Sequence, residues 1–225
     1  MKHKSFFNHT GRILLGLAGL LFGALNASAK LEWKEKDIYT SATAYDKQVK
    51  VSYTFVNKGD KPVTITWLRS SCGCLVPKVR DQVVAPGQEG EIFVVLDLDF
   101  RMGKLRRAVT VYTDDPEEPK IALYLHTELP VVIRPDKSVV KWTEGDSGTQ
   151  KLTVQTDESV PVLEFIAATK DPNLDVKVEP VGPSKTYTVE ITPKPNAEKV
   201  VAQIDLQAKI GADRYKKTSV MAVYR

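Results

Sequence analysis

The sequence predicts an all-β chain of two tandem antiparallel β-sandwiches behind a cleaved signal peptide. Three observations carry that expectation. The chain opens on a basic, apolar, small-residue leader; hydrophobic side chains then recur at every second position; and turn residues interrupt those runs at regular intervals. Of the 225 residues 42 % are hydrophobic, enough for a sizeable core. No stretch beyond the leader carries an amphipathic helical stripe of ten residues or more.

The leader comes first. Lys2, Lys4 and Arg12 give a positive start, Ile13 to Leu25 is an apolar run, and Ala27-Ser28-Ala29 is a small-x-small cleavage pattern. Thirteen helical residues would span roughly 20 Å, short of a hydrocarbon core of roughly 30 Å. The expectation is therefore a signal peptide over 1–29, a mature chain from Lys30 with no integral membrane segment, and a periplasmic or secreted location. No cysteine follows the apolar run to take a lipid anchor. The leader holds three of the 32 basic residues and none of the 28 acidic ones, so the mature chain stands at +1. With no block of Lys and Arg left, nucleic acid is excluded as an expected partner.

The first half, 30–129, alternates with period two. Val49, Val51, Tyr53 and Phe55 share a face, followed by Val63, Ile65 and Trp67, which read as one inward set. Ile92 to Leu98, Val109 and Val111, and Ile121 to Leu125 repeat the pattern. Asn57-Lys58-Gly59-Asp60, Ala85-Pro86-Gly87 and Asp114-Asp115-Pro116 separate the runs. Asn57 and Gly59 tolerate left-handed backbone angles, and Pro86-Gly87 suits the centre of a type II turn. The second half, 130–225, has the same rhythm, from Leu152 and Val154 through Tyr187, Val189 and Ile191 to a closing strand over 218–224. Pro130 and Pro135 bracket the passage between the halves.

Several of these residues also form an ordered set. Val56 to Val63, Ser71-Cys72-Gly73-Cys74, Pro86-Gly87 followed by Gly90, Gly103, and Thr113-Asp114-Asp115-Pro116 occur in that order. The set resembles the bacterial family called domain of unknown function 1573, over roughly residues 38–128. This chain has Leu75 and Asp114 where the family usually carries threonine and asparagine. The resemblance implies an exported, immunoglobulin-like sandwich related to the sperm-protein and ciliary-hydin modules. No established activity comes with it.

Cys72 and Cys74 are the only cysteines, and three readings stay open. As a disulfide, the pair needs the chain to turn at Gly73, because Cα atoms two apart on a strand lie about 6.6 to 7 Å from each other. A loop of three residues is a poor staple, worth about 1.6 kcal/mol on the chain-entropy formula. As a metal site, two sulfurs on one strand face converge on a soft ion. Only His126, Met102 and Met221 remain in the mature chain as further His or Met ligands, so Cu(I) fits better than zinc. As exchanging thiols, the pair gains from Lys61, Arg69, Lys78 and Arg80, with no acid between Asp60 and Asp81.

Catalytic sets are incomplete. One mature histidine and no nucleophile elbow leave no triad, and no phosphate-cradling glycine loop occurs. Asp97 and Asp99 read as a solvated strand face, and Trp33 and Trp142 as covers of the sandwich ends. The resulting expectation is a non-enzymatic binding or scaffolding protein of the envelope with no cofactor and a protein partner. Its expected contact loop carries Ser70, Ser71, Gly73 and Leu75. The alternative is a Cu(I)-binding or thiol-redox protein using Cys72 and Cys74, with His126 as a further ligand.

Overall fold

The computed structural model describes residues 30–224 except 144, 181–184, 196 and 198; the expected signal peptide lies outside the described residues. Nine strands lie before Pro130: β1 (Leu31–Trp33), β2 (Asp37–Ser41), β3 (Gln48–Asn57), β4 (Val63–Ser70), β5 (Leu75–Val79), β6 (Val83–Val84), β7 (Glu89–Asp97), β8 (Gly103–Thr113) and β9 (Lys120–Leu129). They form two sheets, ordered β1-β3-β7-β5 and β2-β9-β8-β4-β6. Eight follow: β10 (Ile133–Pro135), β11 (Val139–Lys141), β12 (Gln150–Thr156), β13 (Glu164–Thr169), β14 (Leu174–Pro180), β15 (Thr186–Pro193), β16 (Val200–Gly211) and β17 (Arg214–Tyr224). Their sheets are ordered β10-β12-β15-β14 and β11-β17-β16-β13. The described residues are all β, as their alternation predicts.

The two strand orders are the same order. Reading β10 to β14 against β1 to β5, and β15 to β17 against β7 to β9, superimposes both sheets, with β6 as the extra strand of the first half. The repeat seen in the sequence as rhythm is therefore a repeat of topology. Each half also departs from a purely antiparallel arrangement in the same way. Its second short strand crosses to the opposite sheet and adds parallel to the last strand, β2 to β9 and β11 to β17. Every other strand pair is antiparallel.

The alternating residues fill the cores. Tyr53, Phe55, Ile92, Val94, Leu96, Val111 and Leu123 are buried between the first two sheets. Leu152, Val154, Ile191, Ile204 and Leu206 do the same in the second half. Trp67 is the exception: expected inside, it is 59 % exposed. A bulge is the cause. Along β4 the register with β8 runs from Ile65 opposite Thr113 to Trp67 opposite Tyr112, so one extra residue intervenes. An added residue reverses which face the rest of the strand presents.

Turn residues take up varied work. Gln88 N–H donates to Ala85 C=O at 3.0 Å and Gly87 has φ +76°, the type II turn that Pro86-Gly87 predicts. Asn57 and Gly59 are not left-handed. Asn57 is instead buried, and its amide donates to Lys61 C=O at 2.7 Å and Val84 C=O at 2.9 Å while its Oδ1 accepts from Gly59 N–H at 3.0 Å. Its value to the hairpin is a side chain that replaces backbone partners.

The halves are joined by more than a linker. Ala44 and Met102, from loops of the first half, pack in the core of the second. The β16–β17 hairpin reaches back: Arg214 donates to Tyr45 C=O at 3.1 Å, and the Lys217 ammonium lies 3.8 Å from the Phe100 ring centroid. Between them Lys216, 0 % exposed, donates to the carbonyls of Arg101 at 2.9 Å and Asp99 at 3.4 Å. Burial holds its pKa below the ordinary lysine value, with the Arg214 charge adding to the effect.

Candidate functional site

Cys72 and Cys74 lie where the chain changes sheets. β4 belongs to one sheet of the first half and β5 to the other, and only Ser71 to Cys74 connect them. The entry is pinned to β8: Ser71 N–H donates to Ala108 C=O at 2.9 Å and Ala108 N–H donates to Ser71 Oγ at 3.0 Å. The exit is pinned to β7, where Asp97 N–H donates to Cys74 C=O at 2.8 Å. Leu75 N–H reaches Cys72 C=O at 3.3 Å, closing a tight turn. That turn brings the two Cα atoms to 5.2 Å, and the sulfurs are joined in a disulfide. Of the three readings left open by the sequence, the bridged one is the state of this structure.

Exposure is graded along the loop. Cys74 is buried against the core, Cys72 is half-buried, and Gly73 is exposed with no atom within 4 Å of where a Cβ would stand. Ser71 is also exposed. Leu75, expected on the contact loop, is 2 % exposed and belongs to the core. Its place as the first residue of β5, pointing inward opposite Leu96, removes it from any contact surface.

β5 is an edge strand, and its open side is guarded. Asp97 N–H bonds to Cys74 C=O and Arg80 N–H to Glu91 C=O at 3.0 Å. These bonds put the even-numbered residues of β5 on the ladder to β7 and the odd-numbered ones on the free side. Pro77 therefore lacks its N–H on the free side, where an incoming strand would need it. Pairing through this edge is disfavoured.

The remaining sequence candidates fall elsewhere. His126 is on the outer face of β9, its Nε2 2.9 Å from Asp37 Oδ1 and its ring stacked on Tyr39 at 4.3 Å. Asp97 and Asp99 are not a strand-face pair: Asp99 lies on a loop with φ 31°, and Asp97 Oδ1 accepts its N–H at 3.0 Å. Trp33 packs on Phe55 at 4.5 Å, and Trp142 is buried edge-on to Tyr224. Among the described residues no group of three or more His, Cys, Asp or Glu is placed to hold a metal ion. No helix among the described residues is long and apolar enough to cross a membrane.

The second half carries the same turn without cysteines. By the shared strand order, the counterpart of Ser71 to Cys74 is the four-residue connection Lys170 to Asn173 between β13 and β14. There Leu174 N–H donates to Asp171 C=O at 3.5 Å, matching Leu75 and Cys72. Asp171 and Asn173 occupy the places of the two cysteines, and Asp171 Oδ1 accepts from Asn173 N–H at 2.8 Å. Leu174 is buried as Leu75 is. With Asp171 N–H donating to Thr169 Oγ1 at 3.2 Å, two side-chain hydrogen bonds thus hold the turn that the first half closes with a covalent bond. Sequence reading missed this correspondence because Lys-Asp-Pro-Asn and Ser-Cys-Gly-Cys share no residue.

Residues 31–129 match the family model described as protein of unknown function (DUF1573). No curated protein matches the sequence. Among solved structures the chain is similar to a protein of unknown function from Porphyromonas gingivalis W83, at 11 % identity over 86 % of this chain and 99 % of that one, with a TM-score of 0.35. It is also similar to domains 4–9 of the surface layer protein SbsC, at 12 % identity over 88 % and 31 % of the two chains and a TM-score of 0.33. For the YadV chaperone the values are 10 % identity, 85 % and 98 % coverage, and 0.33. Likenesses at these TM-scores carry no argument about function.

Proposed function

We propose that this chain, whose first half is a DUF1573-family domain, is an exported, non-enzymatic binding or scaffolding protein of the bacterial envelope. Its contact element in this reading is the tip formed by Ser71, Cys72 and Gly73. One observation carries the proposal: the equivalent turn of the second half keeps its shape without a disulfide, on hydrogen bonds among Thr169, Asp171, Asn173 and Leu174. The first half has no structural need for a disulfide there, and a three-residue ring adds little to stability. What the bond does supply is a rigid, exposed tip. Fixing a contact loop before binding removes part of the ordering cost of association.

A photo-crosslinking side chain at Gly73 tests this. The position has open space around it, so the domain tolerates the change. The expected result is one discrete adduct with an envelope protein, absent when the same group is placed at Lys177. No adduct from Gly73 removes the tip as a contact. The exported state is tested by intact mass, which should start the mature chain at Lys30.

A second reading rests on Cys72, the more exposed of the two cysteines. If the bond is reducible, the freed thiols would serve exchange or bind Cu(I). Cys72→Ser with Cys74→Ser separates the readings. On either, the folded chain should lose only about 1 to 2 kcal/mol in urea unfolding. Retained adduct at position 73 with loss of one stoichiometric copper from the reduced protein favours the thiol reading; loss of the adduct favours the rigid tip.

A further inference from the structure

The outer face of the sheet formed by β2, β9, β8 and β4 holds rings and cations in an ordered array. At one end the β4 bulge turns Trp67 out onto Tyr112, with ring centroids 5.2 Å apart. At the other, Tyr39, 75 % exposed, stacks on His126. The Arg106 guanidinium lies 3.8 Å over the Tyr124 ring. Ala108, Thr110 and Ala122 floor the lane between the two ring pairs with small side chains. Lys120, opposite Tyr112, and His126 are six residues apart on β9, so the lane runs about 20 Å at roughly 3.4 Å per residue.

Two features mark this face as more than a solvated surface. Exposed rings are apolar area left in water, and two stacked pairs of them on one face point to a ligand. Charge is also unbalanced along it. The face's two carboxylates are engaged, Asp37 with His126 at 2.9 Å and Glu128 with Lys104 at 3.7 Å. Arg69, Arg106 and Lys120 have no carboxylate partner among the described residues. Planar guanidiniums left free in this way suit planar carboxylates.

We infer that this face binds an acidic polysaccharide, with sugar rings lying on the Trp67–Tyr112 and Tyr39–His126 pairs and uronate carboxylates on Arg106 and Arg69. The lane is the outer face of a sheet, with a depression of about 320 Å³ beside His126 and Arg106. Such a shape accepts a linear polymer lying along it, whose hydroxyls stay hydrated, better than a small molecule that must be enclosed. The carboxylates answer the unpaired cations, which a neutral glycan would leave unanswered. This site goes beyond the Cys72–Cys74 tip and does not depend on it.

Isothermal titration of the full mature chain with a mannuronate oligosaccharide tests the inference, with maltohexaose as neutral control and polyphosphate as a polyanion without sugar rings. Saturable binding of the mannuronate alone is expected. Trp67→Ala and Arg106→Gln should each weaken it at least tenfold with unchanged thermal unfolding, and the Cys72→Ser, Cys74→Ser protein should bind as before. Absence of binding overturns the inference. Equal binding of polyphosphate reduces the face to general charge attraction and also overturns it, as does equal binding of maltohexaose. Normal binding by Trp67→Ala would place the site elsewhere. If the mannuronate fails and Trp67→Ala instead abolishes a protein complex, the face belongs to a protein partner and the inference fails.

Discussion

Gly90→Val is expected to destabilise the first domain by about 3 kcal/mol or more, read from urea unfolding followed by tryptophan fluorescence. Gly90 stands directly opposite Phe55 across the β3–β7 pair, and the Phe55 ring lies over it. A Cβ at residue 90 would meet three atoms of that ring, at 2.2, 2.5 and 2.9 Å, all closer than van der Waals contact allows. The ring has little freedom to give way. It is buried in the core and held from its other side by Trp33 at 4.5 Å. A β-branched residue therefore has to displace a core aromatic or distort the strand. Phe55→Leu in the Gly90→Val background should recover part of the loss, which a direct clash requires and a general loss of strand flexibility does not. A cost below about 1 kcal/mol would show that the ring swings aside.

Lys216→Ala is expected to cost about 2 to 4 kcal/mol, because it strands two half-buried carbonyls and leaves the space of a long, buried side chain unfilled. Lys216→Met keeps the volume and loses only the amine, so it should cost less. The pair also gives a pH test. Burial lowers the pKa of Lys216 below 10.5 in the folded chain, so between that lowered value and 10.5 the unfolded chain holds more protons than the folded one. Stability then rises with pH through that window, and the full charge-burial cost is present below it. The stability of the wild type relative to Lys216→Met should accordingly increase between neutral pH and about pH 10. Taking the difference cancels Tyr53, whose pKa burial raises well above the ordinary tyrosine value and which acts alike in both proteins. A flat difference would mean that the ammonium is better solvated than its burial indicates.

The fold was legible because most strands obey one rule, an inward residue at every second position. Tyr53 with Phe55, Ile92 with Val94, Leu96 and Leu98, and Ile204 with Leu206 are all buried as that rule requires. It failed at Trp67, where one inserted residue reversed the phase; a bulge leaves no mark in the alternation itself. Missing the bulge meant missing the outer face, although Tyr124 and His126 alternate out of step with Leu123 and Leu125 and could have been read as an outward set. Cys72 and Cys74 were conspicuous, but their state was not, since the turn that brings them together depends on bonds to β7 and β8 that are far away in sequence. Leu75 shows the same limit: adjacency to the motif suggested contact, while its strand position dictated burial. Lys216 gave no signal at all, because a lysine in a hairpin rich in basic residues is ordinarily solvated.

The joint between the halves decides how the protein can be handled and divided. Leu129 lies in the first core and Val132 in the second, both buried, so the boundary has no slack segment for a protease to enter. A gene cut at that boundary would leave each fragment with a wound. The first would present Ala44 and Met102 to solvent, and the second an ammonium at Lys216 without the carbonyls of Asp99 and Arg101. Two cores here make one purifiable object, and a failed expression of either half alone would speak of the missing neighbour rather than of the half.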